Sequence, residues 1–600
     1  MALLTQLNTL ESSGLICLAA AQPELEYLFR HALIQDAAYG SLVKQDRKRL
    51  HREVGEALER MYPDQLASRE LAPRLGEHFY QAGDDQRALK YFTLAGDAAA
   101  RGYANAEAVL HYTRALEVAT RATHLAGAKQ LKHLYTYRGH ALELSAQDAQ
   151  ALENYEDMEA TARQRGDRSL ELAALIARAT IYFKPATLRD PARGQAVSER
   201  ALALARELGD RRAEAKTLWN LLIHHKFASH FSEALECGEQ ALAIARELNL
   251  REQIAYVLHD IYPVYLALEQ APRAWAALQE SQQLWRELGI LNMLADSLAS
   301  SAELRVLGGE YEQAFALSEE ALRISRAIGN LWNQSYSWYM IDLAYADRGE
   351  MGQAIEVAEE CLRLAQQAGF LAGLIQSAFD LAYIYGYLGA VRRGYEVIER
   401  IRGATEGVSH VDPFISVTTA RLHLLSGRLA EAGAAFDAAR RGFTEAQLQS
   451  SSFWFLGLID AELALARGDY ARLLALTDEA IPLLRKTGIR LFFPDTLHFK
   501  SKALLSLGRV NQAEQVLAEA RAEAEALGSR RSLWPILMAL SEIEAQRGNP
   551  AEARALRRQA RAIAEFIADH AGSPELRETF LGLADVQNVM RPTGMLRDET

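Results

Sequence analysis

Cysteine is scarce in this chain of 600 residues: Cys17, Cys237 and Cys361 are all there is. Odd in number and far apart, they form neither a disulfide framework nor a zinc site, and they suit a reducing compartment. A cytoplasmic protein without a metal centre is therefore expected. Long apolar runs are missing as well. No window of about 18 apolar residues exists, so no membrane-spanning helix is expected. The opening "MALLTQLNTLESSGLICLAAA" lacks a basic stretch and carries Glu11 ahead of its apolar run, so it does not read as a signal peptide. Proline (14) and glycine (38) are modest, which argues against long disordered segments. Positive charge is in deficit, with 66 Lys and Arg against 78 Asp and Glu. Direct nucleic-acid contact is not expected, because phosphate contacts need clustered Lys and Arg. There is no G-x-x-x-x-G-K-[ST], hence no amide loop with a lysine to cradle phosphates, and no cofactor is expected.

What is present is length and periodicity. Six hundred residues exceed one compact core, so the chain is multidomain or a repeat array. Segments such as "FSEALECGEQALAIAREL" from 231, "YEQAFALSEEALRISRAI" from 311 and "MGQAIEVAEECLRLAQQA" from 351 align with one another. Their small residues recur every 40 positions, at Ala234, Ala274, Ala314, Ala354 and Gly394, and less strictly at Ala432, Leu473, Ala513 and Ala553. Five residues earlier stands a glycine in seven consecutive units, from Gly309 to Gly548. Seven residues later stands Ala241, Ala321, Ala439, Ala480, Ala520 or Ala560, with Ser281 and Cys361 as small substitutes.

The glycine can take the left-handed conformation that ends one helix and turns the chain back. The anchor and the residue seven later share one helix face, where small side chains admit a close neighbour. Each unit is thus an antiparallel pair, helix A then helix B, and stacked pairs bury a continuous core. On these residues, with Tyr265, Tyr345 and Tyr385 late in helix A, the chain resembles tetratricopeptide repeats, over roughly residues 67–570. Its period is longer than the usual 34. The resemblance implies an all-α, right-handed superhelical solenoid with a binding groove on its concave side.

Ahead of the array, a helix, a turn and two short strands around Pro23 read as the end of a winged helix, followed by "FRHALIQDAAYGSLVKQDRKRLH". This join resembles that of bacterial signal-transduction ATPases with numerous domains, of the kind fused to class III nucleotidyl cyclases or LuxR-type regulators. "SPELRETFLGLADVQNVM" near the end resembles the closing segment of their arrays. The expected organisation is 1–60, a partial winged helix from a switch module; 61–572, the repeat array; and 573–600, a capping segment and flexible tail. In such relatives a histidine near this helix senses nucleotide, which would make His31 the remnant of a sensor. The bland alternative has Phe29, Leu33, Ala37 and Leu42 packing a helix on the wing, with Arg30 and His31 in solvent or capping neighbours.

Other clusters carry less. His224 and His225 point about 100° apart on a helix, so with His230 they read as structural rather than metal-binding. Glu319–Glu320 and Glu359–Glu360 read as solvated faces, because no histidine or nucleophile recurs beside them. Ser12–Ser13 and Ser450–Ser452 lack a nucleophile elbow. The basic run "KQDRKRLHR" at 44–52 reads as a partner or interdomain face. The resemblance places helix A residues 18, 15, 11 and 8 before each anchor on the concave side. These positions give an aromatic stripe of Trp219, Tyr256, Tyr336, Tyr339, Phe379 and Tyr383, part core and part protein-binding groove. The expected function is a non-enzymatic interaction scaffold or sensor arm that binds a protein or peptide, and also admits a small effector. The alternative is the regulatory part of a larger ATPase whose catalytic domains lie elsewhere.

Overall fold

The computed structural model describes the chain except residues 1, 21–25, 103, 146, 184–189, 406–410, 444–453 and 592–600. Pro23 and Ser450–Ser452 fall outside the described residues. The fold is all-α and tetratricopeptide-like, with one two-stranded antiparallel hairpin, Ile16–Ala20 with Glu26–Phe29. No described helix is long and apolar enough to cross a membrane. The chain divides into two compact units, Met1–Asn220 and Leu221–Thr600.

The repeated small positions pack as their spacing predicts. Ala234, Ala274, Ala314, Ala354, Ala432 and Ala513 are wholly buried. At Gly394 even a Cβ would come within 2.7 Å of Leu422. The seven turn glycines from Gly309 to Gly548 all have positive φ. Earlier repeats place Ser229 and Glu269 at the same turn, also left-handed, at φ 60° and 61°. One small position differs: Ala480 is half-buried, and Thr477 and Ile481 take the inward places instead.

In the first unit a second use of glycine operates. Gly55, Gly76, Gly96 and Gly139 each receive an aromatic ring from a following helix, namely Phe79, Phe92, Tyr112 and Tyr155. Gly55 lies in Lys44–Met61, so this basic helix packs as the first helix of the array, ahead of residue 61. What precedes it is thinly packed. Ala32–Ser41 buries no residue; Leu33 is 80% exposed and Phe29 44%. The expected packing of Phe29, Leu33 and Ala37 on the wing is therefore not found, since the hairpin offers only two short strands to cover them.

The second unit closes on itself. Arg490 and Leu491 amides donate to Leu307 O, and Arg530 donates through Nη1 to Arg348 O. The Gly352 amide donates to His570 O at 2.7 Å. Turns between helices A and B, and the start of one helix B, thus meet the junctions of repeats that come about 180 to 220 residues later. One core joins Tyr311, Met351 and Leu381 to Phe492, Trp534 and Ile567. Helices Pro574–Leu581 and Ala584–Met590 complete it, with Phe580 stacked on Tyr387 at 5.9 Å.

Candidate functional site

The inward positions of helix A in the second unit gather tyrosines and carboxylates. They lie on Arg251–Ala267, Leu291–Leu307, the broken helix Leu331–Ser337 and Ile341–Asp347, and Leu371–Tyr387. The break has a local cause. Met340 is left-handed (φ 61°), and the amides of Trp338, Tyr339 and Ile341 bond three residues back. Asp342 stands in the first turn of the restarted helix, 2% exposed, and the Leu343 amide donates to Met340 O at 3.2 Å. A non-glycine residue at positive φ costs about 1–3 kcal/mol and persists only where its surroundings hold it.

Tyr336 precedes this break and Tyr339 lies within it, with ring centroids 5.4 Å apart. The Tyr336 hydroxyl lies 3.1 Å from Ser300 Oγ and donates to Glu303 Oε2 at 3.2 Å. Tyr262 joins the same network through Ser300 and Tyr336. Glu303 keeps partial contact with solvent but has no cation within ion-pair reach among the described residues. Burial pushes its carboxyl up to about 7, against the Tyr336 hydrogen bond and with help from Asp296. Asp342 and Asp380, 2% and 1% exposed, face each other behind this wall, with Gln376 Nε2 donating to Asp380 Oδ1 at 2.8 Å. Burial raises both carboxyls, and repulsion from Asp342 adds to the rise at Asp380. At His259 burial works to lower the pKa, but Asp296, 3.6 Å away, carries it upward.

The aromatic stripe is divided by this packing. Tyr336, Tyr339, Phe379 and Tyr256 are half-buried, Tyr256 standing edge-on to Trp285 at 4.8 Å. Phe379 packs towards Phe414 and Val417. Tyr383, expected on an open groove, is covered instead. Arg421 lies over its ring at 4.2 Å, Phe492 meets its edge at 5.9 Å, and Arg531 donates to its hydroxyl at 2.9 Å. Return contacts in the second unit convert that end of the groove into core. Trp219 belongs to the first unit, half-buried, with Lys216 Nζ 3.7 Å from its ring centroid. His31 is exposed at the start of Ala32–Ser41, where its side chain makes no cap hydrogen bond.

His224 is buried, 5.0 Å from the His225 ring, and no group of the described residues is arranged to hold a metal. Glu320 and Glu359 pair with Arg286 and Arg400 of adjacent repeats, as solvated faces do. Sequence reasoning passed over Glu303 and Asp296, although both stand at the inward offsets (11 and 18 before Ala314) that selected the aromatics. The missed signal was carboxylates at positions other repeats fill with rings.

No family model matches the chain, and no curated protein matches it. Solved structures do. One is a signal-transduction ATPase with numerous domains carrying a tetratricopeptide-repeat sensor, from Pyrococcus horikoshii. It is 16% identical over 66% of this chain and 57% of that one, with TM-score 0.40. This chain therefore spans just over half of that relative's length. Another is the APC/C hetero-tetramer Cut9–Hcn1, 14% identical over 90% of this chain and 98% of that one, TM-score 0.44. A third is a Rap protein complexed with competence and sporulation factor, 12% identical over 72% and 99%, TM-score 0.40.

Proposed function

We propose that the chain is a non-enzymatic scaffold or sensor arm that takes a protein or peptide segment on the inner face of its second unit, at Tyr256, Tyr336, Tyr339 and Phe379. One observation carries this reading. Half-buried rings stand beside Glu303, which accepts from Tyr336 but has no cation within ion-pair reach among the described residues. A basic peptide would supply that cation and cover the rings. Tyr383 falls out of the surface because it is core, and Trp219 presents a ring on the first unit.

The test is selection of random displayed peptides on the intact chain. Enriched peptides should bind Tyr339→Ala or Phe379→Ala at least 30-fold more weakly, about 2 kcal/mol at a hot spot. Binding is measured at a temperature where circular dichroism shows the variants folded. Enrichment of peptides indifferent to both changes would end this assignment.

A second reading, a regulatory part of a larger ATPase coupled to a cyclase or transcription regulator, is supported by the thinly covered segment ahead of the array. There Leu18, Leu28, Phe29 and Leu33 are exposed on a hairpin and helix. His31 as a nucleotide-sensor remnant belongs to that reading alone.

A further inference from the structure

The first unit holds a cleft of about 460 Å³ between Asn105–Arg121, Ala128–Leu144 and Asp148–Arg165. Arg138 lines it in an unusual state. Its Nε donates to Asn154 Oδ1 at 2.6 Å, and Asn154, 2% exposed, donates in turn to Tyr135 O at 2.9 Å. This chain of bonds fixes the guanidinium plane. Yet no carboxylate of the described residues lies within 4.0 Å of Arg138, and its two terminal nitrogens are left to the cleft. Burial lowers its pKa, and the Tyr135 ring, 5.6 Å away, and the more distant Asp157 charge offset only part of that loss of water. Arginines nearby are already used: Arg121 is held by Asp85, and Arg114 by Glu117.

Apart from Arg121, the remaining polar lining of the cleft is largely acceptors. Thr113 and Thr120 donate their hydroxyl protons to Val109 O and Leu116 O, which leaves only lone pairs facing outward. Asp157, exposed on the rim, has no basic partner within ion-pair reach among the described residues. A simple anion would satisfy Arg138 but meet Asp157 and the threonine lone pairs. A ligand with a carboxylate at one end and an ammonium at the other satisfies both.

We propose that this cleft binds a small zwitterion, an amino acid or the equivalent short peptide, with its carboxylate on the terminal nitrogens of Arg138 and its ammonium towards Asp157. Guanidinium and carboxylate match end-on through two parallel hydrogen bonds. The volume suits a ligand of that size. The site is separate from the inner face of the second unit and stands whether or not that face binds a peptide.

Calorimetric titration of the intact chain with four probes decides it. Alanyl-alanine carries both charges, N-acetyl-alanyl-alanine only the carboxylate, alanyl-alaninamide only the ammonium, and inorganic phosphate is a plain anion. Alanyl-alanine should bind, and blocking its carboxylate should weaken binding about tenfold or more. Arg138→Met should lose the same factor. Acetylating the amine and Asp157→Asn should each weaken binding several-fold, and Asp157 is exposed, so its variant folds. The blocked probes need no variant at all. Absence of alanyl-alanine binding at millimolar concentration, equal binding of the amide, preference for phosphate, or unchanged affinity in a folded Arg138→Met each overturns the proposal.

Discussion

Glu303 shows how one side chain ties stability to pH. Burial raises its folded-state carboxyl to about 7 from an ordinary value near 4.5. The folded state then binds more protons than the unfolded chain between those values, so stability falls as pH rises through that window. Below pH 4.5 both states are protonated and the cost of burial is absent. Above pH 7 it is fully present. Glu303→Gln keeps the Tyr336 partner without the charge. Its advantage over the native chain in urea denaturation should grow from near zero at pH 4 to on the order of 3 kcal/mol at pH 8. A gap that stays flat with pH would mean that Glu303 is ionised and solvated in the folded state.

At the scale of elements, the turn between helices A and B decides how each pair closes. Most repeats spend a glycine there, but Ser229 holds φ 60° with a side chain. The left-handed region costs a non-glycine residue about 1–2 kcal/mol. Glycine's greater freedom in the unfolded chain takes back part of that gain. Ser229→Gly should therefore stabilise the second unit by about 1 kcal/mol, read as a higher denaturation midpoint at unchanged m-value. A lower midpoint would show that the serine makes a contact worth more than the strain. Between elements, the glycines that accept rings in the first unit act differently: a Cβ at Gly96 would sit 2.5 Å from the Tyr112 ring.

For the second unit taken whole, closure rests on Arg531. Its Nε and Nη2 donate to Asp347 Oδ1 at 3.1 and 2.9 Å, and Nη1 and Nη2 reach Asp495 at 2.8 Å. Ser529 Oγ and Tyr311 Oη also donate to Asp347, at 2.7 and 2.6 Å. The Arg531 and Asp347 side chains are 4% and 1% exposed. Removing one partner of a buried pair strands the other's charge, which costs about 3–5 kcal/mol. Arg531→Leu should destabilise the chain by that amount in chemical denaturation, and Asp347→Asn in the same chain should recover part of it. A loss no larger than an exposed ion pair gives, about 0–1 kcal/mol, would remove this network from the forces that close the unit.

The array was legible in the sequence because its signals are local. A glycine before most B helices and small residues two turns apart act within about twenty positions, and the periodicity of 40 repeats them down the chain. The aromatic offsets were legible too, through the resemblance to tetratricopeptide repeats, which gives Tyr336, Tyr339 and Phe379 matching positions on successive A helices. Whether such a face is open is not a local property. Tyr383 sits at the same kind of offset and is core, because Arg531 and Phe492, more than a hundred residues later, come back to cover it. The same holds for Arg138, which reads as one more surface arginine until Asn154 fixes its Nε and no carboxylate of the described residues comes within ion-pair reach. The sequence by itself determined which residues form each helix pair and which face turns inward. Only the tertiary structure decided which inward residues meet solvent and which charges go unpaired, because those depend on contacts between segments far apart along the chain.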